Sequence, residues 1–313
     1  MFLYVILGIT ALTATVQNIF KKKFNETCAK SSAYFFSAMT AAVSMLFFIA
    51  INLFYNKDWY YSTSLLLPSA AFGIAFAVAS VFSVLAICCG PLAKTSLVIS
   101  CSLLIPSLYG IFVQGIYIKV IRDSSATLQE ALADALSPTL IIGTVLLVLA
   151  LFLVNYEKKS ADTAEKKVTL KWLIFVTLAF LGNGMCSTVQ TAKQDFYGND
   201  GNNVFMIVAL AIVVFLLLLA TFSFKHQRIY IKETASKSWL LACLCGAANG
   251  LTNFFVMFLN ANKFPASVLF PVVSGGGLLM IFLWSVLVKK ERFTVPQYIG
   301  YALGVVSLVL LNI

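Results

Sequence analysis

Long apolar runs, separated by short polar gaps, follow one another along the chain. A helix needs about 20 apolar residues to cross the roughly 30 Å of hydrocarbon in a bilayer. Ten runs reach that length, and each predicts a membrane-spanning helix. Their approximate bounds are 2–20, 32–55, 65–88, 95–117, 138–156, 169–192, 203–223, 237–261, 265–288 and 295–313. The longest connections, 118–137 and 157–168, are too short to bury a core, so no soluble domain is expected.

Three short sequence matches, in the same order, relate the two halves of the chain. The matching segments are Thr15-Val16-Gln17 with Thr188-Val189-Gln190, Thr95-Ser96 with Ala266-Ser267, and Ile142-Gly143 with Ile299-Gly300. Because each half has an odd number of helices, the halves must lie in the membrane with opposite orientations, an architecture typical of secondary transporters. The predicted fold is therefore an all-α integral membrane protein, with ten transmembrane helices in two inverted five-helix repeats. The predicted units are a first repeat (1–156), a charged linker (157–168) and a second repeat (169–313).

Composition supports a membrane protein and excludes other classes. Hydrophobic residues make up 60% of the chain and charged residues 11%, with a mean hydropathy of +0.93. This leaves too little polar surface for a soluble protein of 313 residues. The net charge of +10 comes from Lys and Arg in the short gaps, which favours a lipid bilayer as partner and argues against nucleic acid. The seven cysteines show no metal-ligand spacing, so neither a metal nor a cofactor is expected.

The distribution of basic residues predicts the orientation of the chain. The odd-numbered loops together hold 17 Lys and Arg, whereas the even-numbered loops hold 5. Since cytoplasmic loops carry the excess of positive charge, both termini are predicted to lie outside. The compact loops favour a multi-pass protein of a bacterial inner (cell) membrane.

The region that opens the last predicted helix resembles a known transporter family. It reads Lys289-Lys290-Glu291-Arg292-Phe293-Thr294, followed by Gln297, Ile299-Gly300 and an apolar helix. With the two five-helix halves, this resembles the drug/metabolite transporter superfamily, of the EamA-like kind. The resemblance implies solute transport without specifying a substrate. It also implies cytoplasmic termini, against the charge distribution, and the first half departs from the family pattern through the insertion 118–137.

The predicted helices contain no ionisable residue near their middle, and this limits the chemistry. All twelve Asp and Glu lie in loops or at helix ends. A carboxylate at mid-membrane normally marks a proton relay or a counter-ion for a cation. The sequence therefore argues against a proton-coupled exporter of cationic drugs. It also argues against a membrane enzyme, which needs buried acids, bases or metal ligands.

Uncharged polar residues share faces of three helices and predict a binding cavity. In helix 1, Thr10, Thr13 and Gln17 share a face, and helix 6 repeats the pattern. The candidate substrate-binding residues are Thr13, Gln17, Asn183, Ser187, Gln190, Asn249, Asn253 and Ser274. The alternative is that these groups only bond helix to helix, as polar residues commonly do in membranes.

Prolines and glycines predict interruptions in helices 4 and 9. The candidate gating or helix-breaking residues are Pro106, Pro271, Gly275 and Gly276. A static kink is the alternative. The spacings 246–250 and 300–304 each place two glycines one turn apart, which favours packing within the chain over a dimer interface. Lys193, close to a helix end, is expected to reach the membrane interface.

The sequence thus predicts a secondary transporter, an exporter on the family resemblance alone, that moves a small neutral or zwitterionic metabolite such as an amino acid by alternating access. A multidrug or lipid-linked exporter or flippase is the alternative on the same scaffold, and a membrane scaffold or receptor is the alternative outside transport. Both a monomer and a homodimer fit the sequence.

Overall fold

The computed structural model describes residues 2–27, 32–56, 59–89, 95, 98–99, 101–122, 126–154, 169–287 and 294–310, and these residues form helices and short turns without a strand. The helices are α1 (Phe2–Thr27), α2 (Ala33–Ile51, continued by a π-helical turn Asn52–Asn56), α3 (Leu66–Cys89), α4 (Leu104–Tyr109, continued as a π-helix Gly110–Arg122), α5 (Leu128–Ala135), α6 (Pro138–Val154), α7 (Leu170–Tyr197), α8 (Asn202–Ser223), α9 (Lys225–Ile229), α10 (Ile231–Ala261), α11 (Ala266–Leu287) and α12 (Val295–Leu310). A 3-10 turn, Thr63–Leu65, precedes α3.

Eight helices of the described ranges are long and apolar enough to cross a membrane. They cover Phe2–Lys21, Ala33–Tyr55, Thr63–Ala86, Leu104–Arg122, Leu128–Val154, Leu170–Tyr197, Asn202–Ser223 and Ile231–Ala261. α11 adds a shorter apolar segment, Ala266–Gly277, and α12 lies where the tenth span was predicted. The chain is therefore an all-α, multi-pass membrane protein, while the count of ten spans remains a prediction.

Several helices extend beyond their predicted bounds. α1 continues through Lys21 to Thr27, α7 continues to Tyr197, and α10 begins at Ile231. Lysine, glutamate and glutamine are good helix formers, so backbone hydrogen bonding continues past the last apolar residue. The apolar run predicted the part of each helix within the hydrocarbon but not its polar end turns.

The prediction of a loop over 118–137 was wrong. The π-helix that continues α4 extends to Arg122, and α5 follows after a short gap. Thr127 and Glu130 form a reciprocal capping box: the Thr127 hydroxyl accepts a bond from the Glu130 amide at 3.3 Å, and the Glu130 carboxylate accepts one from the Thr127 amide at 2.9 Å. The Thr-x-x-Glu spacing was readable in the sequence.

Some predicted features lie outside the described residues. These are the linker 157–168, the segment 289–293 that opens the family-like motif, and the last residues 311–313.

α10 lies between α1 and α2 and packs on both through small residues. A Cβ atom on Gly246 would lie 2.6 Å from Val43 Cβ, and one on Gly250 would lie 2.8 Å from the Phe47 ring. Gly300 of α12 meets the backbone of Val154 in α6 in the same way, at 2.8 Å. The predicted small-residue spacings therefore serve packing within the chain.

The second packing unit joins α3, α7 and α8. A Cβ atom on Gly182 of α7 would lie 2.8 Å from the Ala79 amide nitrogen of α3. One face of α8 is fully buried, and its Phe205 and Leu210 join Phe48 of α2 and Phe72 of α3 in one apolar cluster. The outward faces of α6 and α8 expose large apolar side chains, as lipid contact requires. They include Phe152, Phe215, Leu219 and Phe222.

The two ends of the helix bundle differ. At one end of the bundle, which we call the terminal end, α1, α8 and α11 begin and α4, α7 and α10 finish. Phe2 and Tyr4 there contact Phe258 and Phe264 edge to face. The basic end is the opposite one, where α1 is followed by α2 and α8 by α10, and where the Phe24 and Phe36 rings stack at 3.7 Å.

Candidate substrate-binding site

Five polar side chains from four helices form a hydrogen-bonded group in the interior, which we call the central network. Its members are Gln17 of α1, Ser44 of α2, Gln190 of α7, and Asn249 and Asn253 of α10. Gln17 and Asn249 are 8% and 3% exposed, and Gln190 is 2% exposed. Leaving such amides without partners in an apolar interior is costly, so their mutual bonding stabilises this arrangement.

Asn249 is the centre of the network. Its Oδ1 accepts a hydrogen bond from Gln17 Nε2 at 2.9 Å, and its Nδ2 donates to Ser44 Oγ at 3.0 Å. It therefore connects α1 to α2 through α10. The Ser44 hydroxyl lies 2.7 Å from the carbonyl oxygen of Gly246, where α2 and α10 are in close contact.

Asn253, one turn further along α10, connects the network to α7. Its Nδ2 donates to the Asn249 backbone carbonyl at 2.9 Å, with a longer contact of 3.2 Å to Asn249 Oδ1. Gln190 Nε2 donates to the backbone carbonyl of Asn253 at 3.0 Å. The two glutamines matched in the sequence, Gln17 and Gln190, thus both bond to residues of α10 in one network.

Some hydrogen-bond acceptors of the network have no partner among the residues that the structure describes. The side-chain carbonyl oxygens of Gln17, Gln190 and Asn253 accept no hydrogen bond from the described part of the chain. Each amide NH2 group has two hydrogens, and only one bond from Gln17 and one from Gln190 is made. Free amide oxygens bind ammonium or hydroxyl groups, and free amide hydrogens bind carboxylate oxygens. The chemistry fits a solute that carries both kinds of group without net charge.

Aromatic side chains border the network on one side. Phe254 follows Asn253 directly. The centre of its ring lies 6.4 Å from that of Phe47 and 5.7 Å from that of Phe255. Phe47 also packs against Gly250, between Asn249 and Asn253. The Phe47 and Phe254 rings pack on the apolar cluster around Phe205 and form an aromatic wall beside the network.

The other predicted binding residues have different neighbours. Thr13 joins the site through its hydroxyl, which accepts from Thr252 Oγ1 at 2.9 Å. Asn183 faces α4 instead and donates to Ser102 Oγ at 2.6 Å. Ser187 and Ser274 are half-buried, and neither side chain bonds to the described residues. The structure brings together Thr13, Gln17, Gln190, Asn249 and Asn253 of the predicted set.

The predicted helix breaks differ between α4 and α11. Residues 102–103 form a turn before α4, and the π-helix begins at Gly110, so the backbone around the buried Pro106 is irregular. Pro271, Gly275 and Gly276 lie inside the continuous helix α11, so the interruption predicted there is absent. Proline removes one backbone donor, but the turns on both sides of Pro271 remain helical. A gating role for these residues stays a prediction.

Lys193, expected near the membrane interface, binds the turn between the two apolar helices α7 and α8. Its side chain is 1% exposed, and Nζ donates to the carbonyl oxygens of Gly198 at 2.8 Å and Asp200 at 2.9 Å. Nζ also bonds to Asn202 Oδ1. The ammonium group therefore closes the α7–α8 turn, and its position relative to the membrane interface stays a prediction.

Sequence reasoning missed two parts of the site. Ser44 and Thr252 were not chosen, although Thr252 adjoins the predicted Asn253. The larger omission is a cluster at the terminal end: the Asp195 carboxylate accepts hydrogen bonds from Tyr109 Oη at 2.9 Å and Gln114 Nε2 at 3.0 Å. Asp195 was placed in a loop because the apolar run ends before it. No group of three His, Cys, Asp or Glu suited to a metal occurs among the described residues.

The comparison with known proteins gives information about the fold and none about the function. No family model matches the chain, and no curated protein matches it. Among solved structures, one described only as a protein superposes with a TM-score of 0.68 at 12% sequence identity. The match covers 99% of this chain and 98% of the other. The complete helical arrangement therefore occurs in a solved protein whose description names no function.

Proposed function

We propose that the protein is a secondary transporter, and by family resemblance an exporter, that moves a small neutral or zwitterionic metabolite, such as an amino acid, by alternating access. The central network carries the proposal. It is a buried group of uncharged donors and acceptors, contributed by α1, α2, α7 and α10, in a multi-pass membrane protein. Three of its side-chain carbonyl oxygens accept no hydrogen bond from the described residues, which leaves them available to a solute.

Helix packing supports two inverted repeats. The sequence shift that relates Thr15 to Thr188 also pairs Ala11 with Gly184. The shift that relates Thr95 to Ala266 also pairs Ile105 with Gly276. Gly184 meets the Ile105 side chain, and Gly276 meets Ala11, so the related pairs make related contacts. At helix level, α1 packs on α10 and α11, while α7 packs on α3 and α4. Such an approximate twofold relation is the basis of alternating access in many carriers.

The position of the network fits a transport role. Gln17 and Gln190 occupy matched positions in the two proposed repeats, and α10 lies between them. Rocking one repeat against the other would change the distance between these amides and open the site to each side in turn. The resemblance to the drug/metabolite transporter superfamily agrees with this proposal.

The test is thermal unfolding of the purified protein in detergent against a solute panel. The panel contains neutral amino acids, sugars, nucleosides, carboxylates, phosphorylated compounds and cationic dyes. A ligand at 100 times its dissociation constant adds about 2.7 kcal/mol to the free energy of unfolding. We expect stabilisation by neutral or zwitterionic compounds and its loss in Gln17→Ala and Gln190→Ala. The matched control is Gln129→Ala, since Gln129 is exposed on α5.

Two results would contradict the proposal. Stabilisation by cationic dyes or phosphates alone would mean that charged groups, not the central network, hold the solute. Unchanged stabilisation in both glutamine variants would remove the network from the site. Stabilisation by aromatic, weakly polar compounds would favour the multidrug alternative, which the Phe47 and Phe254 wall would serve.

A further inference from the structure

The strongest polar feature outside the central network joins α4, α7 and α11 at the terminal end. We call it the latch, and it consists of Tyr109, Gln114 and Asp195. Gln114 Nε2 lies 3.2 Å and 3.0 Å from the two Asp195 carboxylate oxygens, and Tyr109 Oη donates to Oδ2 at 2.9 Å. The single carboxylate of Asp195 thus receives donors from two turns of the α4 segment.

Gln114 extends the latch to a third helix. While its NH2 group binds Asp195, its side-chain oxygen accepts a hydrogen bond from the backbone amide of Ala266 at 2.9 Å. Ala266 is the first residue of α11, and that amide has no partner within its own helix. The ionised Asp195 therefore orients Gln114, and Gln114 fixes the start of α11.

At the same place the backbones of α4 and α11 touch. A Cβ atom on Gly110 would lie 2.3 Å from the amide nitrogen of Ser267, so only glycine fits there. Leu7 and Phe270 pack beside this contact in the apolar cluster that joins α1, α10 and α11. The latch thus lies where α4 and α11 close the terminal end of the bundle.

The latch has no counterpart in the other half of the sequence. The offset that relates Gln17 to Gln190 pairs Asp195 with Lys22, and the offset that relates Thr95 to Ala266 pairs Gln114 with Ser285. The related positions in the other half therefore hold neither the carboxylate nor the amide. The closure of the two ends of the bundle would therefore respond differently to a change in pH.

Other charged groups face the latch less directly. Arg122 donates to the backbone carbonyl of Asp195 and lies 5.7 Å from the Phe196 ring centre. Lys119 pairs with Asp134 of α5 at 3.3 Å. The titratable and charged groups of the packed elements at this end are Tyr109, Tyr117, Lys119 and Arg122 of the α4 segment, Glu130 and Asp134 of α5, Lys193 and Tyr197 of α7, Asp200 in the α7–α8 turn, and Lys263 before α11.

We propose that Asp195 is the proton-binding site of a gate at the terminal end. Ionised, it holds α4 on α7 and, through Gln114, on α11. A proton taken up on a carboxylate oxygen removes the charge that strengthens the bonds from Tyr109 and Gln114. These bonds weaken, α4 separates from α11, and the terminal end opens. The proposal rests on the proposed transport function and adds the ligand, a proton, that would control one of its gates.

The test measures the gate itself and requires no substrate. Nitroxide labels on Tyr117→Cys and Asn262→Cys, both at exposed positions, report the distance between the α4 segment and the turn before α11. The seven native cysteines are first replaced. We expect longer distances when the pH is lowered from about 8 to about 4, a range that reaches the ordinary pKa of an aspartate carboxyl, about 3.9. Asp195→Asn, which mimics the protonated state, should show the longer distances at every pH.

The control is Asp134→Asn, which neutralises an exposed carboxylate at the same end and should keep the full pH response. Tyr109→Phe retains the carboxylate and removes one bond, so it should open at higher pH than the wild type. A constant distance across the pH range, or a full pH response in Asp195→Asn, would overturn the proposal. Ligand stabilisation of the same labelled protein, measured in parallel, separates failure of the gate from failure of the transport function.

Discussion

At the residue scale, the central network joins side chains that lie far apart in the sequence, since Asn249 of α10 bonds to Gln17 of α1 and to Ser44 of α2. Matched TVQ segments and amides one turn apart identified Gln17, Gln190, Asn249 and Asn253, because polar residues stand out in apolar helices. Ser44 was missed since a lone serine in a membrane helix commonly bonds to its own backbone, and nothing local predicts the contact with Asn249. Partners in a network are set by helix packing across long sequence separations.

Lys193 offers a residue-scale test of stability. Lys193→Met removes the ammonium group that binds two carbonyl oxygens and the Asn202 side chain, so the three bonds that close the α7–α8 turn are lost. We expect a loss of about 1–3 kcal/mol in the free energy of unfolding. The matched control is Lys119→Met, whose ion pair with Asp134 is exposed and should contribute about 1 kcal/mol or less. Equal losses in the two variants would contradict the buried role of Lys193.

At the scale of the element, apolar length predicted the membrane helices and failed at their ends. Lys21 and Asp195 are helical although they lie beyond the apolar runs, since a helix ends where its backbone bonding ends and not where hydropathy falls. The π-helical continuation of α4 has no signal that we recognise in the sequence. α5 had one, the capping box, within a segment interpreted as an insertion.

Two glycine-to-alanine substitutions test whether glycine is required where helices pack closely. Gly246→Ala places a methyl group 2.6 Å from Val43 Cβ at the α2–α10 contact, so we expect destabilisation of about 1–3 kcal/mol. Gly8→Ala changes a helical position in α1 with nothing within 4 Å, and should be neutral or stabilise by up to about 1 kcal/mol. Thermal unfolding in detergent measures both. A tolerated Gly246→Ala would mean that α2 and α10 can separate without cost.

At the scale of the whole molecule, apolar periodicity and composition predicted a multi-pass helical membrane protein, and the structure confirms that class. The inverted repeat rests on short sequence matches, to which the related Ala11–Gly276 and Ile105–Gly184 contacts add independent support. Orientation in the membrane stays a prediction from the Lys and Arg distribution. No local pattern encodes a substrate, because in the proposed site its identity would depend on the spacing of amides that three helices bring together.

The central claim is that the network binds a neutral or zwitterionic solute during transport, and counterflow into proteoliposomes tests it most directly. Vesicles loaded with a high concentration of the stabilising unlabelled compound are diluted into a trace of the same compound in labelled form. We predict transient accumulation of label with the wild type and with Gln129→Ala, and none with Gln17→Ala or Gln190→Ala. Absence of counterflow for every neutral and zwitterionic compound, or full counterflow in both glutamine variants, would contradict the account.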